Sequence, residues 1–225
     1  MKFTTTSYTN PQKSILKFPE SGIAVPVTMD DYGLSADSEG KKIVPAGTIV
    51  GGGTLTNAST KVKTHAPATL TTALAGENND MVFTAKENRT IKVAYINPLG
   101  NNQALSVSVT VDTINVSLKT GSGGAIESTA AEIKAAIEAH YQANELVSVA
   151  HATGNSGAGV VIALTATELA NGVSAEGVLL NDVDCTYGDA AGAMLIRGEV
   201  DTAKLPTSPS TQAQRSLAGR ILFMV

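Results

Sequence analysis

The chain has 225 residues, with 16 Lys and Arg against 20 Asp and Glu, four Phe, five Tyr, one Cys and no Trp. At 43% apolar and 16% charged it is no disordered tail, and low charge with 21 Gly points to a β-rich, turn-dense protein. A net charge of −4 with no clustered basic face argues against nucleic-acid binding, the lone Cys185 leaves no intramolecular disulfide, and the lack of a signal-like apolar segment or an apolar run of ~18 residues argues against export and membrane spanning.

Residues 1–42 are polar with scattered apolar positions and no sustained period, and Pro11, Pro19 and Pro26 break any helix, so this segment reads as an extended N-terminal arm. Residues 41–53 place Pro45 and Gly47 between two apolar β-branched runs, a strand, a type I turn with Pro at i+1 and Gly at i+3, and a second strand. The chain then runs through Thr, Asn, Ser and Ala to the loop signal at 76–80, which marks a boundary.

Strands are expected at 81–85 and 91–96, closed by the turn at 98–102. Leu105, Val107, Val109 and Val111 alternate at period two, and Ile114, Val116 and Leu118 continue with opposite parity. A phase flip at Asp112 and Thr113 signals a tight hairpin or a bulge. Thr129 to Glu132 forms a capping box, and Ala130, Ile133, Ala136, Ile137, His140 and Tyr141 share one face of a helix ending near Asn144. Two more strands follow at 146–150 and 160–165.

Residues 175–180 form a short apolar run, a candidate buried strand. The chain turns at 187–189 and resumes strand character at 193–200. Ser208 and Pro209 read as N-cap and N1 of a short helix to about Ala218, with Gly219 past its end. The apolar residues 221–225 must be buried in a last strand or in an oligomer interface. The sum is an α+β, β-rich fold: the arm at 1–42, a small β domain from 43–76 plus 174–225, and an inserted α+β domain at 77–173.

Chemistry-bearing patterns are scarce. His65, His140 and His151 have no nucleophile motif beside them. The carboxylates at Asp182 and Asp184 are spaced like the start of a calcium loop, but Tyr187 stands where that loop needs Gly and Ala193 where it needs Glu. Gly51–Gly53 lacks the Lys and Ser or Thr of a phosphate loop, and the cluster at 121–124 lacks a dinucleotide fingerprint. No catalytic, cofactor-binding or metal-ligating residue is expected, and no cofactor.

The stretches KKIVPAGTIVGGG (41–53) and AEGVLLNDVDCTYGDAAGAMLIRGEVDTAKLP (175–206) resemble the head-decoration and head-fibre proteins of tailed bacteriophages, the lambda-D-like group. In that group a strand-Pro-x-Gly-strand unit precedes a strand of the A-x-G-[VI]-L kind, a turn, and a strand ending in G-x-V. Here the matching residues are Pro45 and Gly47, then Ala175, Gly177, Val178 and Leu179, then Gly198 and Val200. The middle stretch, 78–120 with the helix STAAEIKAAIEA, is similar to a domain that recurs in phage head and tail proteins, here inserted between the two halves.

The resemblance implies a virion protein without catalytic chemistry, made in the bacterial host cytoplasm. It would bind the major capsid protein on the outer capsid surface as a homotrimer. An extended arm suits β-augmentation of a capsid sheet, with Phe3, Tyr8, Ile15, Leu16 and Phe18 as candidate contacts, unless some of them fold onto the protein's own core. Ile221, Leu222 and Phe223 are candidate oligomer contacts. The alternative is a fibre or tail adhesion protein whose inserted domain contacts the host surface. A phage depolymerase would need paired carboxylates at a separation that sequence spacing does not reveal.

Overall fold

In the computed structural model, which describes residues 14–225, Ile23–Met29 forms β1 in spite of Pro26. The strand lies at a sheet edge with Pro26 opposite Ala193, where a missing N–H costs no ladder bond. Three short strands follow, β2 (Ile43–Val44), β3 (Ile49–Gly51) and β4 (Lys63–Thr64). Next come β5 (Thr69–Thr71), β6 (Met81–Ala85), β7 (Lys92–Ile96), β8 (Ser106–Thr110), β9 (Thr113–Ser117), α1 (Ala130–Ala139), α2 (Tyr141–Leu146), β10 (Val147–His151) and β11 (Leu164–Glu168). The chain ends with β12 (Gly177–Leu179), β13 (Val183–Asp184), β14 (Ala190–Asp201), α3 (Thr211–Leu217) and β15 (Ile221–Met224). The fold is α+β and β-rich.

Two compact units result. One takes the residues up to Thr64 together with Glu176–Pro209 and Leu217–Val225, the other His65–Ala175 and Ser210–Ser216. Three boundaries differ from the expected ones, each for a physical reason. Residues 65–76 belong with the second unit because β5 pairs with β6 and Ala66 bridges Val173. Residues 210–216 join it through α3. Within residues 1–42, β1 is a full partner of β14 and Ile15 is 1% exposed, so much of the expected arm is part of the first unit's fold.

The first unit's main sheet has the order β1-β14-β12-β3-β4, with β15 added in parallel to the far end of β14. Its core holds Val27, Met29, Val50, Leu179, Val183, Cys185 and Met194. Burying each of the larger of these contributes about 1.5–3 kcal/mol. The segments 43–53 and 175–184 run antiparallel around a corner in one unbroken register: Asp184 faces Ile43, Val183 faces Val44, Val178 faces Ile49 and Gly177 faces Val50. At the corner the Gly47 N–H donates to the Leu179 carbonyl at 2.8 Å, and the Ala46 N–H to Asp182 Oδ1 at 2.7 Å.

The turn itself is displaced by one residue from the expected type I. The Thr48 N–H donates to the Pro45 carbonyl, which puts Gly47 at i+2 with φ +87°, the position where a type II turn demands glycine. The strands on either side of it do not pair with each other; β2 joins β13, and β3 joins β12 and β4. Gly177 is required by close approach, because a Cβ there would lie 2.3 Å from the Leu195 carbonyl oxygen.

The second unit holds a four-stranded sheet, β11-β7-β9-β8, and a three-stranded one, β10-β6-β5. Phe83 and Tyr95 meet in its core with ring centroids 6.5 Å apart, beside Ile91, Ile114, Leu118, Ile133 and Ile137. The phase flip after Val111 is a hairpin: Thr110 faces Thr113 across the two residues Val111 and Asp112. Val111 has φ +57°, a strained value for a β-branched side chain, and Arg89 pairs with Asp112 at 2.8 Å.

The capping box of α1 is complete. The Glu132 N–H donates to Thr129 Oγ1 at 3.3 Å, and the Thr129 N–H to Glu132 Oε2 at 2.9 Å. Lys119, 2.6 Å from the Glu132 carboxylate, and the Thr129 backbone hold that carboxyl below its usual range. The helix stops at Ala139 rather than near Asn144, because His140 turns out and starts α2, accepting the Ala143 N–H on Nδ1.

Candidate functional site

The candidate contact residues at the two ends of the sequence converge on one strand. The end of β14, from Gly198 to Asp201, is flanked on one side by residues 15–17 and on the other by β15. Leu16 bridges Val200 antiparallel, the Lys17 N–H donates to the Glu199 carbonyl at 3.0 Å, and the Asp201 N–H donates to the Ile15 carbonyl at 2.9 Å. On the opposite side Ile221, Leu222, Phe223 and Met224 face Gly198, Glu199, Val200 and Asp201 in parallel. Lys17 ties the two flanks, with Nζ 3.1 Å from the Val225 carbonyl oxygen and 4.0 Å from Asp201 Oδ2.

Local sequence explains this geometry. Pro19–Ser21 forms a 3-10 turn that lifts the chain off β14 between residue 17 and β1, and the Ser21 hydroxyl bonds the Glu199 carboxylate. Gly198, at φ +148°, lets β14 pass Gly22, since a Cβ there would lie 3.3 Å from the Gly22 Cα. The result is a cleft of about 490 Å³ lined by Ser21, Ile23, Arg197, Glu199, Arg220 and Leu222 among others. Arg220 donates to the Glu176 carbonyl. No strand among the described residues pairs with the outer edge of β15.

The candidate side chains divide sharply. Phe3 and Tyr8 lie outside the described residues. Ile15 is a core side chain and Leu16 is half-buried, so Ile15 is withdrawn as a partner contact; of the arm candidates described, Phe18 stands out, at 54% exposed. Ile221 is buried against its own unit, Phe223 is half-buried, and Leu222 is 58% exposed. Val225, the end of the apolar run 221–225, and Ile23, not singled out in the sequence, add exposed apolar surface. Ile23 escaped notice because its exposure depends on the outward face of an edge strand.

The groups with chemical potential are engaged elsewhere. His65 Nε2 lies 2.8 Å from Ser210 Oγ and its Nδ1 2.6 Å from the Val173 carbonyl oxygen. That is the order nucleophile, base and orienting group, across a sequence separation no local motif could reveal. Yet a neutral carbonyl stands where a triad has a carboxylate, so no charge stabilises an imidazolium. Burial pushes the His65 ring below the ordinary histidine value, the Val173 hydrogen bond only partly opposing it. Ser210 Oγ also accepts the Ala213 N–H, so this hydroxyl is the N-cap of α3.

The glycine cluster at 51–53 does hold an anion, the protein's own. Glu176, almost fully buried, accepts the Gly53 N–H at 3.1 Å on Oε1 and the Thr54 N–H at 2.9 Å on Oε2. Asp30, Asp31 and Asp189 bring carboxylate oxygens within 4.8 Å of one another. Each has a lysine: Lys63 is 3.5 Å from Asp30, Lys42 is 3.3 Å from Asp31, and Lys61 pairs with Asp189. The Lys61 hydrogen bond holds the Asp189 carboxyl below its usual range. Asp182 and Asp184 cap the backbone N–H groups of Ala46 and Thr186. Among the described residues no helix is long and apolar enough to cross a membrane. No protein-family model, curated protein or solved structure matches the chain.

Proposed function

We propose that this chain is a decoration protein of a tailed-bacteriophage head, made in the host cytoplasm and bound to the outer surface of the capsid. It is a binding protein rather than an enzyme and uses no cofactor. Its partner is the major capsid protein, and it associates as a homotrimer. The observation that carries this reading is the end of the first unit's sheet, where an open-edged β15 and residues 15–17 flank β14 beside exposed Phe18, Ile23 and Leu222.

An unpaired strand edge with apolar neighbours is a surface for main-chain pairing with another protein. The unbroken register between 43–50 and 177–184 adds support, because it joins the two sequence stretches that resemble the decoration group. Co-sedimentation of the full chain with DNA-filled phage heads tests the proposal. Saturable binding is expected. Recovery of the chain only in the supernatant, at every protein concentration, contradicts it.

A further inference from the structure

A second open edge lies in the other unit, and its features are independent of the capsid reading. Strand β8 closes the sheet β11-β7-β9-β8 on one side. Its pairing with β9 begins at Thr110 and Thr113, flanking a two-residue turn, so the main-chain groups of Ser106, Ser108 and Thr110 point to β9. Those of Val107 and Val109 point outward, and no hydrogen bond to them occurs among the described residues.

Natural edge strands carry charges, prolines or bulges that block further pairing. The opposite edge of the same sheet follows that rule: β11 has an irregular register between Leu164 and Thr167 and ends in Glu168. Strand β8 has none of these. From Ser106 to Thr110 it reads Ser-Val-Ser-Val-Thr, without charge, Gly or Pro.

The stretch is also complementary to itself. Laid antiparallel on a second copy about Ser108, Val107 meets Val109 and Ser106 meets Thr110. Apolar residues then face apolar residues and hydroxyls face hydroxyls. We infer that β8 is a two-fold pairing edge whose occupant is β8 of a second copy of this chain, joining two four-stranded sheets into one. In that arrangement Val107 and Val109 of each copy exchange backbone hydrogen bonds with Val109 and Val107 of the other.

The contact is two-fold and therefore separate from the three-fold association proposed above.

Ser108 lies on the two-fold axis, in a pair whose side chains approach closely, and it is exposed. Sedimentation velocity of the full chain between about 1 μM and about 1 mM is expected to show a doubling of mass. Ser108→Lys and Ser108→Glu should each lose that doubling, because like charges then face each other, and an equimolar mixture should restore it. A wild-type chain that never doubles, a single variant that doubles as the wild type does, or a mixture of folded variants that fails to recover overturns the proposal. Amide hydrogen exchange of the wild type decides the matter without mutation. Val107 and Val109 should slow with rising concentration, and exchange there that is indifferent to concentration overturns it.

Discussion

Leu16 and Phe223 lie on opposite sides of Val200, the first bridging it antiparallel and the second pairing with it in parallel. Segments from the two ends of the sequence thus share one strand, and they divide the labour between fold and surface. Ile15→Ala is expected to cost about 2–5 kcal/mol, the range for truncating a fully buried aliphatic side chain. Leu222→Ala, on the exposed side of β15, should change stability by less than about 0.5 kcal/mol. Urea denaturation of both variants checks the contrast; equal losses would show that the exposed rim is part of the core.

Glu176 holds the turn after β3 by accepting backbone N–H groups with both carboxylate oxygens. An amide keeps the shape but loses the charge and one acceptor. Glu176→Gln is therefore expected to destabilise the protein by about 1–3 kcal/mol. The same denaturation measurement reads it, and an unchanged midpoint would mean that the turn is held by its glycines alone.

His65 makes the protein sensitive to acid. Burial keeps the folded ring below the ordinary histidine value, so the unfolded chain takes up a proton that the folded one resists. The stability linked to this group is complete above the ordinary value of about 6.5 and falls as pH drops below it. The urea midpoint should fall more between about pH 7.5 and about pH 5 in the wild type than in His65→Gln. An identical fall in both would remove His65 as the cause.

Much of this architecture is legible in the sequence wherever a pattern is local. The capping box at Thr129 and Glu132, strand β6 and the phase flip after Val111 all follow from periodicity and turn chemistry. Strand β1 is hidden because Pro26 reads as a breaker until its edge position is known. The break at His140 is hidden because histidine is a poor cap by propensity and here uses a ring nitrogen. The parallel pairing of β7 with β9 and the meeting of His65 with Ser210 depend on distant segments, which no window of sequence contains. At the surface, apolarity identified residues 221–225 but could not say which face of β15 is buried.

The exposed side chains Phe18 and Leu222, beside the open edge of β15, belong to the surface on which the capsid contact is proposed, and neither is part of the core. Head binding of the double variant Phe18→Ala, Leu222→Ala, measured beside the wild type and with both melting temperatures recorded, is therefore the most direct test of capsid decoration. The expected result is a nearly unchanged melting temperature with head binding lost or reduced at least about tenfold, corresponding to roughly 1.4 kcal/mol. Binding of the variant at full strength, or failure of the wild type to bind heads at all, would contradict it.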